Sequence, residues 1–177
     1  KAILCRVERK RYLRETLLCS GISGGLAVFL PVLLSDIVWI INGEPNTGEQ
    51  MGINYFTVFD GTVYGELQFV WNGFFLVLFL LLLAFLFGAS WSVIGLCVSA
   101  LIPNRYITLA APFALFFGAH LILYRLDKPL LFSPANVLMP ATDFIPFPAF
   151  PLLYQLGMLA LASALCWKLL ERKLRDV

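Results

Sequence analysis

Residues 67–102 read LQFVWNGFFLVLFLLLLAFLFGASWSVIGLCVSALI, and Pro103, Asn104 and Arg105 follow at once. A helix crossing the ~30 Å hydrocarbon core of a bilayer needs about 20 residues at ~1.5 Å each. This run has 36, too many for one upright helix and few for two joined by a turn. How often it crosses decides the topology of everything on either side.

Composition sets the solvent. The chain has 177 residues, 60% of them hydrophobic and 14% charged, with a mean hydropathy of +0.84. Soluble domains carry roughly a quarter charged residues. The reading is an all-α integral membrane protein that forms one transmembrane domain. Three further stretches have spanning length and apolarity: residues 19–41, 107–124 and 150–167.

Charge then chooses between one crossing and two. With one crossing of 67–102, Arg105 lies on the side of the N-terminal cluster Lys1–Arg14 and of Lys168, Arg172, Lys173 and Arg175. Only Arg125 and Lys128 are then on the other side. With two crossings, turning near GASWS (88–92), five Lys and Arg residues move outside and eight remain inside. Basic residues favour the cytoplasmic face, so one long crossing and four spans are expected. Both termini would be cytoplasmic. The surplus length is taken up by tilt, by a kink at Gly88 or Gly95, or by a cytoplasmic extension. Pro103, Asn104 and Arg105 become a tight inner turn between two spans, either a plain hairpin anchor or a contact for a cytoplasmic partner.

The remaining segments fit this frame. Residues 43–66 hold Glu44, Glu49, Asp60 and Glu66 and no Lys or Arg, as an outer loop can. Residues 125–149 are too apolar for a free loop and carry five prolines. They read as an outer segment that lies in the interface or dips back as a short re-entrant helix. Residues 168–177 form a basic cytoplasmic tail. Cys5, Cys19, Cys97 and Cys166 all fall at or near the inner face and are expected to be reduced thiols. No Cys-x-x-Cys or Cys/His cluster is present, so neither a metal nor a cofactor is expected. The first residue is Lys1 rather than Met, and residues are expected to be missing upstream.

Residues 1–18, KAILCRVERKRYLRETLL, can run helically into the first span. Arg6, Arg9, Lys10 and Arg14 fall roughly on one side. Ile3, Val7, Leu13 and Leu17 give a modest apolar stripe. The segment is either an interfacial helix on anionic lipid or a docking surface for a cytoplasmic protein, and Glu8 and Glu15 suit both. Small residues at helical spacing mark where spans could approach closely: Gly21, Gly24 and Gly25; Ala84, Gly88 and Ser92; Ala110, Ala114 and Gly118; and, in shorter form, Ser20 with Gly24 and Ala160 with Ala164. Asp36, near the outer end of its span, either reaches water or serves a substrate or coupling contact. His120, the one histidine, is either an interfacial or internally bonded side chain or, like Asp36, a substrate or coupling contact.

Several chemistries are disfavoured. GISG at 21–24 matches the G-x-S-G around the serine of rhomboid-type intramembrane proteases. In this topology Ser23 lies about 6 Å deep and His120 about 20 Å deep at ~1.5 Å per residue. A gap of roughly 14 Å, from that same rise, cannot be a nucleophile and base in hydrogen-bond contact. GISGG is then a packing patch. No G-x-x-x-x-G-K-[ST] loop exists, so the chain does not hold ATP by a P-loop. No aspartate-rich lipid-transferase motif, internal repeat or nucleic-acid signature is present.

VERKRYLRETLLCSGISGGLAVFLPVLL (7–34) and SWSVIGLCVSALIPNRYITLAAPFALFF (90–117) resemble permease subunits of bacterial type-2 ABC exporters. The shared features are a basic segment before a Gly-rich span, and a later span that ends in a G-L-x-x-S-x-x-x-x-N-R-Y turn and is followed by Pro-Phe. The resemblance implies six spans with cytoplasmic termini in a bacterial plasma membrane. This chain would then correspond to the last four. It also implies a separate cytoplasmic ATPase subunit and a second permease subunit, identical or not. The ATPase would dock on Arg6, Glu8, Arg9, Lys10, Arg11, Arg14 and Arg105. The chain itself would not be an enzyme; it would move a hydrophobic or amphipathic substrate outward. The alternatives are a non-transport membrane scaffold or assembly protein and, behind it, an integral-membrane enzyme.

Overall fold

The structure is a computed structural model, and it describes residues 9–42, 62, 64, 74–102, 104–125, 132–138, 140 and 145–175. Arg6, Glu8, Cys5, Pro103, most of the 43–66 segment and residues 126–131, 139 and 141–144 lie outside the described residues, as do the side chains of Arg9 and Arg175. The described elements are all helical: α1 (Arg9–Asn42), α2 (Phe74–Leu101), α3 (Arg105–Arg125), α4 (Pro134–Leu138) and α5 (Phe150–Arg175). Four of them, all but α4, are long and apolar enough to cross a bilayer. The protein is an all-α, multi-pass membrane protein.

Residues 74–101 form one helix of 28 residues, and the chain turns only after it. At the end of α2 the Ile102 N–H still reaches the Val98 carbonyl at 2.8 Å. Asn104 then caps α3. Its Oδ1 accepts the N–H groups of Tyr106 at 2.9 Å and Ile107 at 3.5 Å. These would otherwise be orphan donors of the first turn. Asn104 therefore does more than suit a turn, since its side chain starts the next helix.

The helices exceed the hydrocarbon core by different amounts. With 34 residues, α1 is about 51 Å long at ~1.5 Å per residue; its surplus is the basic segment, which continues the span without a break. Pro31 in α1 and Pro112 in α3 sit inside helices, as membrane helices tolerate when neighbours cover the freed backbone.

At the centre stands α2, the most buried of the described spanning helices. Packing against it, α1 is antiparallel: Ser20 meets Ser92 and Gly25 meets Phe85. In contrast, α5 runs parallel to α2. Phe150 packs near Leu76 and Leu80 at one end, and Ala162 and Cys166 pack on Val93 further along. The last spanning helix, α3, touches α2 along a narrow strip and has no buried residue. Most of the outward faces of α1 and α3 are apolar, including Leu34, Leu109 and Phe113. Lipid covers such faces at no hydrophobic cost.

The short helix α4 follows Ser133, with Pro134 at its first position and the Val137 N–H bonded to Ser133 O at 3.1 Å. Proline is preferred there because its missing N–H would be unpaired anyway. This is the helical piece expected within 125–149, lying before the last span.

Candidate functional site

Three places in the bundle carry more than lipid-facing side chains: the α1–α2 seam, the end where the basic residues gather, and the opposite end around α4.

The seam is built by glycine. A Cβ on Gly24 would lie 2.8 Å from the Gly88 carbonyl oxygen and would overlap the Ser92 side chain. A Cβ on Gly88 would meet Val28 Cγ2 at 2.8 Å and the Gly24 carbonyl. One on Gly25 would meet the Phe85 ring at 2.6 Å. The two backbones are therefore closer than any side chain permits, which is the use of small residues expected in membranes. Ser92 Oγ donates to Ser20 O at 2.8 Å, and the two hydroxyls lie 3.0 Å apart. Gly21 contributes little, since its Cβ would find Val93 at an ordinary 3.9 Å. Ala84 is buried on α2.

The other stripes make no such close contact within the chain. Ala110 and Ala114 are exposed, and a Cβ on Gly118 would meet nothing within 4 Å. The reason is geometric: α3 meets α2 through Pro112, whose ring lies 3.4 Å from where a Gly95 Cβ would be. It also meets α2 through Phe116, edge-on to Phe87 and Trp91 at 5.7 Å each. Residues two away from 112 and 116 point to the far side of a helix of 3.6 residues per turn. Ala160 and Ala164 are likewise exposed, and α5 uses Ala162 and Cys166 instead. There Cys97 Sγ donates to the Ala162 carbonyl at 3.5 Å and packs against the cluster that holds the buried Cys166. No sequence motif marks this thiol pair, because its members are 69 residues apart.

The basic residues share one end. Leu17 of α1 and Leu170 of α5 pack on the same Val93–Ala162–Cys166 cluster. Lys173 Nζ donates to Ser99 O, 3.5 Å away near the end of α2. Lys10, Arg11, Arg14, Arg105, Lys168, Arg172 and Lys173 therefore lie at that end, and Arg125 lies at the other. Arg11 pairs with Glu15 at 2.8 Å, in full exposure on α1. Lys10, Arg14 and Arg105 are also exposed. Leu13, one turn along, is 1% exposed. It ties the basic turn of α1 to the bundle, so the described part of that segment is not a free surface helix.

At the opposite end, Tyr64 is fully buried, stacks on Phe79 at 5.5 Å and donates from its hydroxyl to Pro148 O at 2.8 Å. Burial raises its pKa above the ordinary tyrosine value. Phe132, Phe150 and Tyr154 form an aromatic group beside it, with Tyr154 Oη donating to Phe132 O at 3.1 Å. His120 Nδ1 lies 2.8 Å from Ser133 Oγ. The structure thus pairs His120 with the residue that opens α4, and brings it neither to Asp36 nor to Ser23. The Ser23 hydroxyl donates to Ser20 O within its own helix. A serine–histidine contact is the arrangement of a nucleophile and its base. Ser133 is 0% exposed, and the contact joins α3 to the residue that opens α4. Asp36 is half-buried near the far end of α1. Gln155, 2% exposed within α5, is a buried polar residue that its apolar sequence neighbours conceal. Among the described residues no group of three metal-ligating side chains occurs.

No family model, curated protein or solved structure matches the chain.

Proposed function

We propose that the chain is a transmembrane permease subunit of an ATP-binding-cassette exporter in a bacterial plasma membrane. Its basic end would face the cytoplasm, and a separate P-loop ATPase would engage the basic start of α1 and the turn at Arg105. A second permease subunit would complete the pathway for a hydrophobic or amphipathic substrate. The motif resemblance at 7–34 and 90–117 suggests this reading. The observation that carries it is the continuity of α1. One helix links the exposed cations Lys10, Arg11 and Arg14 to a glycine seam where α1 and α2 touch backbone to backbone. A push on the basic end then moves α1 as a rod, and closely packed seams have discrete packings rather than a continuum.

The test is affinity purification of the full-length protein from its native membrane, followed by ATP hydrolysis and vesicle uptake measurements. A copurifying P-loop ATPase whose hydrolysis rises with the intact complex is expected. Changing Arg6, Arg9 and Arg11 to Glu should release it. Wild-type association of that variant would remove the docking assignment.

A second reading, a four-helix scaffold or assembly protein, is favoured by the closed interior. The face of α2 toward its neighbours is filled largely by apolar side chains, among them Leu76, Leu80, Leu83 and Val93. Purification without any ATPase, and no nucleotide-dependent activity, would favour it.

A further inference from the structure

Where α2 gives way to α3, a recess of about 430 Å³ opens at the basic end of the bundle, lined by Ser99, Ile102, Asn104, Arg105, Thr108 and Leu109. We propose that this recess is a headgroup site for an anionic phospholipid, with Arg105 and Lys173 meeting the phosphate and Ile102 and Leu109 guiding an acyl chain.

The donor set points to an anion. The Ser99 hydroxyl is spent on Leu96 O at 2.7 Å, and the Thr108 hydroxyl on Asn104 O at 3.0 Å. The Asn104 Oδ1 caps α3, which leaves its NH₂ as a donor. What remains for a ligand is cationic or N–H: the Arg105 guanidinium, the Asn104 amide nitrogen and the Lys173 ammonium. The last stands beside the recess, 3.5 Å from the carbonyl oxygen of the lining residue Ser99. No carboxylate lines it among the described residues. A phosphate accepts several such donors at once, and guanidinium matches its geometry with paired N–H groups.

Position and shape point to a lipid as the source. Arg105 lies over the Tyr106 ring at 5.2 Å, and its Nη2 donates to the Tyr106 hydroxyl at 3.4 Å. Tyrosine prefers the headgroup level of a bilayer, so the guanidinium is held at the depth of lipid phosphates. The other wall is greasy: Leu109 is 70% exposed and continues into the unburied apolar face of α3. A free phosphate has no use for that wall. Basic recesses between membrane helices on the cytoplasmic side take anionic headgroups by this chemistry. The inference rests on the membrane setting and not on transport.

The experiment uses the full chain in mild detergent, offered dioleoylphosphatidylglycerol or dioleoylphosphatidylcholine, with bound lipid counted by native mass spectrometry. Phosphatidylglycerol should be retained in preference. Arg105→Gln and Lys173→Gln should each weaken retention roughly fivefold, the share of one basic residue at an anionic surface. Arg105→Lys should keep most of it. Arg125→Gln removes the same charge from the other end and should change nothing. Both test residues are exposed, and Lys173→Gln carries the test should Arg105→Gln fold poorly. Equal retention of the two lipids, or an equal loss in Arg125→Gln, would overturn the site. Displacement of the lipid by millimolar inorganic phosphate would also overturn the lipid assignment, in favour of a free anion.

Discussion

Ser20 and Ser92 bind each other's helices reciprocally: Ser92 Oγ donates to Ser20 O at 2.8 Å, and the Ser20 hydroxyl, 3.0 Å from Ser92 Oγ, can return the bond. The pair sits one turn from the contact of Gly24 with Gly88, so close approach and hydrogen bonding secure the same point. A double-mutant cycle of Ser20→Ala and Ser92→Ala, read by unfolding in mixed micelles, should give a coupling of about 0.6 kcal/mol, the usual size inside a bilayer. Additive losses would mean the hydroxyls do not meet.

The glycines of the seam should be unequal. Gly24→Ala and Gly88→Ala push a methyl group into opposing backbone, and each should cost about 1–3 kcal/mol, as overpacking does. Gly21→Ala has room beside Val93 and should stay within about 0.5 kcal/mol of the parent. The same unfolding assay separates them.

Cys97 and Cys166 should form an intramolecular disulfide under mild iodine oxidation once Cys5 and Cys19 are replaced by Ser. Intact-mass measurement reads the loss of two hydrogens. With all four cysteines present in detergent, maleimide should modify the exposed Cys19 before the buried Cys166. Failure of the cross-link would break the parallel packing of α5 on α2.

Tyr64 gives a pH dependence. Its folded pKa is raised above the ordinary value of 10 by burial. The native state therefore holds its proton longer than the unfolded chain does. The contribution is complete below about pH 10, the unfolded value, and is lost as pH climbs from there toward the raised folded value. Tyr64→Phe should remove about 1 kcal/mol by losing the bond to Pro148 O, and it should flatten that alkaline decline in a pH series of unfolding measurements.

Topology can be read directly. Single cysteines at Lys10, Arg105 and Lys173 should all react with an impermeant maleimide from the same side of sealed vesicles, and one at Arg125 from the other. Labelling of position 105 opposite to 10 and 173 would undo the arrangement.

The spans were legible because length and apolarity are properties of single segments, and lipid imposes both. The turn between α2 and α3 was legible because Arg105 marks a water boundary. The Gly24–Gly88 seam was half legible: spacing named the candidates, but spacing alone also named Ala110, Ala114 and Gly118, which face outward. What separated them was which side Pro112 and Phe116 turn to α2, a matter of rotation about the helix axis that the uniformly apolar α3 sequence does not encode. His120 with Ser133, and Cys97 with Cys166, escaped because each joins residues from different elements.

The link between α2 and α3 is three residues, 102–104, at most about 11 Å when extended. These two helices cannot part at that end. Any rearrangement of α3 must swing about it like a hinged oar. A helix of 21 residues is about 32 Å long, so a tilt of about ten degrees carries its far end about 5 Å. Arg125 and His120 would travel while Arg105 stays nearly still, and a lipid lodged at the fulcrum would set how freely the oar turns.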